Sequence, residues 1–463
     1  MGVASDSIFL PFLIQLCCVS AVALAHRRGV PATLNILVSS AFVTVPVWYF
    51  APLNDVGMVF LFDLVVPILF LLALYQRFFR LNKSVVIIGI LVFFLPLYYS
   101  PIGYFFIGPD YVAFHSLILA SVLYRSLLIF IALAILTWQL RSADPLPLTR
   151  LLAYQFLVLF MFGALQYLGG VDLVVYERVK DVENIVDLLL SGKQKILYGF
   201  GFLGLFRGAV AQMALIALFW WLLLAVHPGA KRRERYLLNL MCVLAIVSVG
   251  GALSRIGMLA MGLALLYAAF VNWRLRISGA IFLIAVFTFF LSQSDQGSII
   301  EMVPDLMSDR FDVQQWGGQA GSGSTRVKSA FALYDAMVNN WEPWLTGLGG
   351  FNPIAANERY GVFGMHGDYL DVVARYGLIV GLLYAAVVFG ILSRQLDGFF
   401  SSVPERRVLA RSFGVLVLGM AILALTQGTL TFSGAAGYLA CAQAWMAIAF
   451  ASAVRRWRKG NLA

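Results

Sequence analysis

The sequence predicts an all-α polytopic membrane protein with about 12–13 transmembrane helices and a large outer loop that forms a helical cap. The first observation behind this prediction is composition: of 463 residues, 61% are hydrophobic and 12% are charged. Soluble domains are about half apolar and about a quarter charged. So little charge cannot cover the surface of a soluble protein of this size, which excludes a soluble enzyme, a disordered chain and a nucleic-acid-binding factor.

The second observation is a series of long apolar runs without polar alternation. Their length predicts helices that cross a bilayer, and the lack of alternation argues against the strands of a membrane barrel. The whole chain, 1–463, is predicted to be a single transmembrane domain. No basic segment precedes the first run, which predicts a retained span and not a cleaved signal peptide. The thirteen runs lie at 8–25, 33–52, 57–75, 84–100, 112–138, 151–169, 198–226, 236–253, 256–273, 277–292, 369–393, 409–426 and 434–453.

The third observation is the distribution of lysine and arginine among the connections. Taken alternately, one set of connections carries 21 of the 33 Lys and Arg residues, and the other set carries nine. The positive-inside rule puts the first set in the cytoplasm. The alternation holds along the whole chain, so the N-terminus is predicted to lie outside and the C-terminus inside. The cytoplasmic set comprises 26–31, 76–83, 139–150, 227–235, 274–276, 394–411 and 454–463.

Two substantial connections fall on the outer side. The connection 170–197 has apolar residues at helical spacing, which predicts an amphipathic helix on the outer membrane surface or over the bundle. The connection 293–368 has about 75 residues without an apolar core of its own, and connections of that length are usually functional. We therefore expect the chemistry of the protein in this second loop. The apolar positions of the first loop are Val175, Val179, Val182, Val186 and Leu189.

His366 stands where the loop 293–368 re-enters the membrane. A neutral imidazole can accept a proton near pH 7, and Asp368 or Asp371 could orient it. From the residues alone, a structural role for this histidine stays open. No CxxC, HExxH or P-loop motif occurs, and no pair of aspartates resembles a metal site for a nucleotide sugar. The sequence therefore predicts neither a metal nor another cofactor.

Two outer arginines have the chemistry to bind phosphate. Arg255 lies in a two-residue outer turn between spans, and Arg326 follows the glycine- and serine-rich stretch 321–325. A planar guanidinium can bind two phosphate oxygens at once. The alternatives are an ion pair with an acidic residue of the loop for Arg255, and packing at the start of an amphipathic segment for Arg326.

Few side chains inside the apolar runs carry charge or reactivity. Arg125, Arg207 and Arg375 lie inside predicted spans, where a charge usually serves an ion, a substrate or a partner. The alternative for each is a snorkelling or paired side chain. All four cysteines lie in apolar runs, which predicts buried free thiols.

Several short segments between about 200 and 393 share an order and an outer placement. They are Ser254-Arg255, Ser324-Thr325-Arg326, Pro343 to Phe351 with its Gly347-Leu348-Gly349, His366-Gly367-Asp368-Tyr369-Leu370, and Tyr376 to Gly381. Together they resemble the O-antigen ligase/polymerase superfamily of bacterial polysaccharide enzymes. The chain departs from many members at Gly367, where they have Asn. The spacing Arg310-x10-Gly321 is similar to a motif of O-antigen polymerases.

The resemblance implies an inverting, metal-independent glycosyltransferase at the periplasmic face of the bacterial cytoplasmic membrane. Its donor would be an oligosaccharide on undecaprenyl diphosphate, and its partners would include a flippase and a chain-length regulator. His366 would be the general base on a sugar hydroxyl, and Arg255 and Arg326 would hold the diphosphate and neutralise the charge that develops as it leaves. Supporting roles would fall to Arg310, Arg375, Asp368 and Tyr369.

Three functions remain open at this point. A polymerase would add lipid-linked repeats to a growing chain, whereas a ligase would transfer the glycan to lipid A-core or another acceptor. The loop 293–368 has four Lys and Arg against nine Asp and Glu, a net charge of −5, and a ligase is expected to offer a basic face to an anionic core. We therefore favour a polymerase. A lipid-linked oligosaccharide flippase, the third function, fits less well because charge inside the runs is sparse and their hydropathy shows no two-fold repeat.

Overall fold

The computed structural model describes residues 31–42, 46–49, 58–75, 81, 83–91, 116–141, 145–169, 207–225, 232–251, 255–271, 322–341, 344–345, 347, 367–395, 399–402, 404–425, 430–431 and 435–461. The helices are α1 (Ala32–Phe42), α2 (Leu61–Tyr75), α3 (Lys83–Gly89), α4 (Ser116–Gln139), α5 (Pro145–Gly169), α6 (Arg207–Ala225), α7 (Arg232–Gly251), α8 (Arg255–Val271), α9 (Ser322–Asn339), α10 (Asp368–Tyr376), α11 (Leu378–Gln395), α12 (Pro404–Ala424) and α13 (Ala435–Asn461). Two strands, β1 (Pro46–Tyr49) and β2 (Met58–Phe60), lie between α1 and α2.

The helical class predicted from the apolar runs is confirmed in the described part of the chain. The runs at 8–25 and 277–292 and the predicted helix at 170–197 lie outside the described residues. Every other run contains at least one helix, and α9 adds a helix within the connection 293–368.

One run behaves differently from the prediction at its C-terminal end. The run 33–52 is helical only to Phe42, and β1 then pairs antiparallel with β2. Proline disfavours helix at the residue before it and lacks a backbone donor, and Pro46 is followed by the strand-forming residues Val47, Trp48 and Tyr49. These local preferences end the helix although the stretch stays apolar.

The helix α6 lies at the centre of the bundle. All of its side chains from Val210 to Trp220 are buried, because the helix is apolar on every side except at Gln212. It packs against α5, α7, α8, α12 and α13. Gly419 of α12 lies directly against Leu215, so a larger residue at 419 would have to displace that leucine. Small residues at such crossings allow helices to approach closely.

Glutamine side chains connect distant helices through the apolar interior. Gln212 of α6 donates to the carbonyl of Ala440 in α13. Gln443 of α13 donates to the carbonyl of Ala41 in α1 at 3.0 Å, and Gln155 of α5 donates to the Ser39 hydroxyl at 2.7 Å. In an apolar interior such bonds contribute about 0.6–2 kcal/mol each, so they fix which helices are neighbours.

A buried aspartate and a buried arginine lie together beside the β1–β2 ribbon. Asp63 of α2 and Arg125 of α4 are both nearly inaccessible, and their charges interact. Asp63 Oδ2 accepts a hydrogen bond from the backbone N–H of Phe60 at 2.8 Å. The Arg125 guanidinium lies 5.2 Å from the ring centre of Tyr438 in α13. For Arg125, the structure therefore favours the paired-side-chain alternative.

The run 369–393, predicted as one span, is two helices in the structure. The short helix α10 ends at Tyr376 and the apolar helix α11 begins at Leu378, with Gly377 between them at a φ of 89°. A positive φ is readily adopted only by glycine among the common residues. The apolar span predicted here therefore begins at Leu378, and α10 precedes it as an amphipathic helix.

Within the part of the chain that the structure describes, one helical segment, Ala120–Gln139, is both long and apolar enough to cross a bilayer. Other apolar helical segments have 10–17 described residues: Ala32–Ala41, Leu61–Tyr75, Pro147–Met161, Val210–Leu224, Ile256–Tyr267, Leu378–Arg394, Ala410–Ala424 and Tyr438–Val454. The number of spans therefore stays a prediction. The prediction of buried free thiols is confirmed for Cys242 and Cys441.

The buried pair predicts a strongly non-additive pair of substitutions. Asp63→Asn and Arg125→Gln are each expected to lower the free energy of unfolding by about 3–5 kcal/mol, because each leaves one buried charge uncompensated. The double variant is expected to lose less than the sum. Thermal unfolding of the detergent-purified protein measures this, with Leu64→Ala on the exposed side of α2 as the control. Additive losses would contradict the pairing.

Candidate functional site

The first residue of α10, Asp368, is fully buried and accepts hydrogen bonds from the segment between α12 and α13. Its Oδ2 accepts from the backbone N–H of Leu430 at 2.8 Å. Its Oδ1 accepts from the backbone N–H of Thr431 at 3.0 Å and from the Thr431 hydroxyl at 2.6 Å. The sequence suggested Asp368 as a partner that could orient His366. In the structure it anchors a segment 62 residues further along the chain.

The same segment is also held from the side of α13. The carbonyl of Leu430 accepts from Trp445 Nε1 at 3.0 Å and from the Cys441 thiol at 3.2 Å. We call Asp368, Leu430, Thr431, Cys441 and Trp445 the Asp368 network. It joins the start of α10 to the last helix, and so it fixes the position of the chain immediately after His366. Sequence reasoning missed Leu430 and Thr431, because nothing in the local pattern distinguishes them from other loop residues.

Two glycines pack the turn after α9 onto the joint between α10 and α11. Gly347 has a φ of 70°, and a Cβ there would lie 2.5 Å from the backbone carbonyl oxygen of Arg375. A Cβ on Gly377 would lie 2.5 Å from the carbonyl oxygen of Trp344. Both glycines belong to the short segments that carry the family resemblance. The structure brings these two segments into backbone contact.

The helix α9 packs on α10 through one face. Leu333, Ala336 and Met337 of α9 form a small cluster with Ala374 of α10, and Trp344 Nε1 donates to the carbonyl of Met337. Arg326 is seven and eleven residues before Leu333 and Met337, a spacing that puts the three positions on one face of the helix. The position of Arg326 is thus on the side of α9 that packs on α10.

Two of the predicted supporting residues have partners on α10 and α11. The Arg375 guanidinium lies 2.8 Å from Asp371 Oδ1 one helical turn earlier. Burial raises the pKa of Asp371 to about 6, and the positive charge of Arg375 opposes that rise. The pair is therefore ionic at neutral pH and loses the carboxylate charge as the pH falls through this value. The ring of Tyr369 stacks on Phe389 of α11, with centroids 5.6 Å apart.

The remaining predicted residues are only partly within the described chain. Arg255 is the first residue of α8, and Arg326 lies in the second turn of α9. The positions of His366 and Arg310 lie outside the described residues. Among the described residues, no group of three or more His, Cys, Asp or Glu side chains could hold a metal ion.

Comparison with known proteins does not assign the chain to a family. No protein-family model matches it, and no curated protein matches it. The resemblance noted in the sequence therefore stays a prediction. The geometry of α9, α10 and the Asp368 network is a separate observation.

The glycine joint predicts a large difference between two glycines that are close in sequence. Gly377→Ala is expected to cost at least about 1–3 kcal/mol, because alanine is strained at this φ and its Cβ would overlap the Trp344 carbonyl. Gly390→Ala in α11 is the matched control, since no other side chain or backbone atom lies within 4 Å of its Cβ position. The Gly390→Ala variant is expected to leave the free energy of unfolding unchanged or to raise it slightly. Thermal unfolding compares the two, and equal effects would contradict the tight contact.

The Asp368 network predicts rescue by a conservative substitution. Thr431→Val leaves a buried carboxylate without one of its donors and is expected to cost about 1–3 kcal/mol, whereas Thr431→Ser keeps the hydroxyl and most of the stability. Thr137→Val is the matched control, because that buried hydroxyl bonds only to carbonyls of its own helix. Thermal unfolding measures all three variants. A serine variant as unstable as the valine variant would show that the hydroxyl is unimportant.

Proposed function

We propose that the chain is a multi-pass protein of the bacterial cytoplasmic membrane with about 12–13 transmembrane helices. Residues that the Lys and Arg distribution assigns to one side meet one another in the fold. Arg150 and Glu234, both in predicted cytoplasmic connections, form an ion pair at 2.7 Å. Asp368 and Thr431, both predicted on the outer side, are hydrogen-bonded. Contacts between residues that are predicted to lie on the same side of the membrane support the predicted alternation of cytoplasmic and outer connections.

A further contact joins two residues that are predicted to lie on the same side and that are separated by the run 277–292, which is outside the described residues. Tyr267, near the cytoplasmic end of α8, has its ring 6.4 Å from that of Phe399 in the connection before α12. Two residues on the same side require an even number of crossings between them. The apolar run 277–292 and the helix α11 supply two, which agrees with the predicted order of spans.

We propose that the protein is an inverting glycosyltransferase that polymerises undecaprenyl-diphosphate-linked repeat units into O-antigen or exopolysaccharide at the periplasmic face. The observation that carries the proposal is the packing of the motif-bearing segments. The helix of Arg326 and the turn at Gly347 contact the C-terminal end of α10, between Ala374 and Gly377, at the predicted outer end of the bundle. The same short helix begins at Asp368, two residues after His366 in the sequence. The contact thus brings together two of the segments that carry the resemblance.

The proposed chemistry requires one base and a site for a leaving diphosphate. His366 accepts the proton of the acceptor sugar hydroxyl, whose oxygen attacks the anomeric carbon of the donor from the face opposite the diphosphate. The bond to the diphosphate breaks, and Arg255 and Arg326 neutralise the charge that develops on the leaving group. A diphosphate is already a good leaving group, so the reaction needs neither a nucleotide nor a metal.

The structure suggests how other residues would support this site. Asp368 positions the start of α10 through Leu430 and Thr431. Arg375 is engaged by Asp371, and Tyr369 packs α10 against α11, so we propose structural roles for both. Arg310 stays a proposed contributor from the outer loop. A flippase and a chain-length regulator are the proposed protein partners.

Ligation to lipid A-core is the alternative within the same chemistry. The donor and the base would be unchanged, and only the acceptor would differ. The net charge of −5 on the loop 293–368 favours a sugar acceptor on a lipid carrier over a phosphorylated core. A flippase is the alternative from another class, and it has no need for a base at the outer rim.

A strain that carries the His366→Ala variant is expected to make surface glycans with only a single repeat unit, because the acceptor hydroxyl then lacks its base. The deletion should show the same profile. A gel and mass profile of surface and lipid-linked glycans measures both, and His115→Ala is the control for an outer histidine without an assigned role.

Each other outcome has a defined meaning. Long chains left on the lipid carrier with bare lipid A-core would indicate the ligase. Loss of surface glycan in the deletion, with a normal profile in the His366→Ala strain, would remove the catalytic assignment and favour a transporter.

A further inference from the structure

The helix α9 has a second face that is apolar and exposed. Phe331, Tyr334 and Val338 of α9, and Trp341 two residues after its end, follow one another at spacings of three, four and three residues, and each is 60–72% exposed. We call these four residues the aromatic stripe. The opposite face, with Leu333 and its neighbours, packs on α10. The helix is therefore apolar on two sides, and only one of them is used within the fold.

The turn that follows the aromatic stripe contacts the start of α11, which has exposed apolar side chains of its own. Trp344, in the turn after α9, is 44% exposed, and its backbone lies against Gly377 at the start of α11. Two residues later, Ile379 begins a row of exposed apolar side chains that includes Leu382 and Leu383. In the proposed membrane placement, this row faces the lipid acyl chains.

We propose that the aromatic stripe docks into the outer leaflet of the membrane, at the boundary between headgroups and acyl chains. This inference rests on the membrane placement proposed above. Tyr and Trp are the residues that favour this boundary, because an apolar ring can enter the acyl region while the polar tip stays with the headgroups. Asn339 lies beside the stripe on the helix and supplies a polar flank, as expected for a helix lying in an interface.

The size of the stripe argues against a second copy of the chain as the occupant. Three aromatic side chains of about 200 Å² each, roughly two-thirds exposed, together with one valine, offer about 500 Å². A stable protein interface buries about 800 Å² on each partner. A membrane boundary needs no such minimum, because α11 and the other spans supply the anchoring.

The docking has a consequence for the proposed reaction. The position of Arg326 is on the same helix as the stripe, in helical register with Leu333 and Met337. A helix that rests on the lipid surface would hold Arg326 at a fixed height above the bilayer, where the diphosphate of a lipid carrier emerges. The stripe would thus set the position of a phosphate-binding residue without touching the substrate.

The experiment uses nitroxide labels on the full-length protein in lipid nanodiscs of phosphatidylethanolamine and phosphatidylglycerol. Cys17, Cys18, Cys242 and Cys441 are first replaced by serine or alanine. Single labels are then attached at Tyr334→Cys and Val338→Cys in the stripe, at Asn339→Cys on its polar flank, and at Leu382→Cys in α11. Collision of each label with oxygen, which concentrates in lipid, is compared with collision with a water-soluble nickel chelate.

The stripe labels and the Leu382→Cys label are expected to collide preferentially with oxygen, and the Asn339→Cys label with the nickel chelate. Stripe labels that prefer the nickel chelate, with Leu382→Cys still in lipid, would overturn the docking and leave the membrane placement standing. A Leu382→Cys label that also prefers the chelate would overturn both. Immobile stripe labels with spin–spin broadening between molecules would overturn lipid docking in favour of a second copy.

Discussion

The buried carboxylate of Asp368 is the constraint on which the arrangement of α10 and the segment before α13 depends. A charge without water must be satisfied by hydrogen bonds, and here the donors come from Leu430 and Thr431. The carboxylate also lies in the first turn of α10, where the helix dipole favours a negative charge. Because Trp445 holds the same segment from α13, any movement of α10 must either break this network or move the last helix with it. The network therefore fixes Gly367 and the start of α10 relative to the last helix.

A second constraint is steric and acts on the other side of α10. Gly347 and Gly377 allow two backbones to meet where any side chain would overlap, and Leu333 and Met337 of α9 pack on Ala374 beside them. The helix α9 thus meets α10 through close backbone contact and a small apolar cluster. The helix α10 is joined to the bundle by the hydrogen bonds of Asp368 and by the buried side chains of Val372 and Tyr376. Such a chain of contacts keeps α9, the joint between α10 and α11, and the segment before α13 together.

The sequence predicted the helices well because long apolar runs have few other ways to satisfy their backbone groups. It did not predict the end of α1 at Phe42, since the residues on both sides are equally apolar and local backbone preferences decide. It also did not predict the break at Gly377, since the apolar residues of the amphipathic helix α10 run directly into those of α11. It identified Asp368 and Arg375 as important but could not identify their partners. Thr431 is 63 residues from Asp368, and only the packing of α13 brings the two together. For Arg125, both a functional and a paired role fitted the sequence, and the packing of Asp63 beside it distinguishes them.

The distribution of buried charge bears on the choice between an enzyme and a transporter. Three charged residues are fully buried among the described residues: Asp63, Arg125 and Asp368. The first two compensate one another, and the third has its hydrogen bonds filled by the α12–α13 segment. A transport pathway requires polar groups in the interior that can exchange partners with a moving substrate. Charged side chains that already have partners within the fold do not provide such exchangeable groups. The proposed chemistry at the predicted outer side would use this fixed interior, because a rigid bundle is a suitable support for a site that has to hold a base and two phosphate-binding arginines in register.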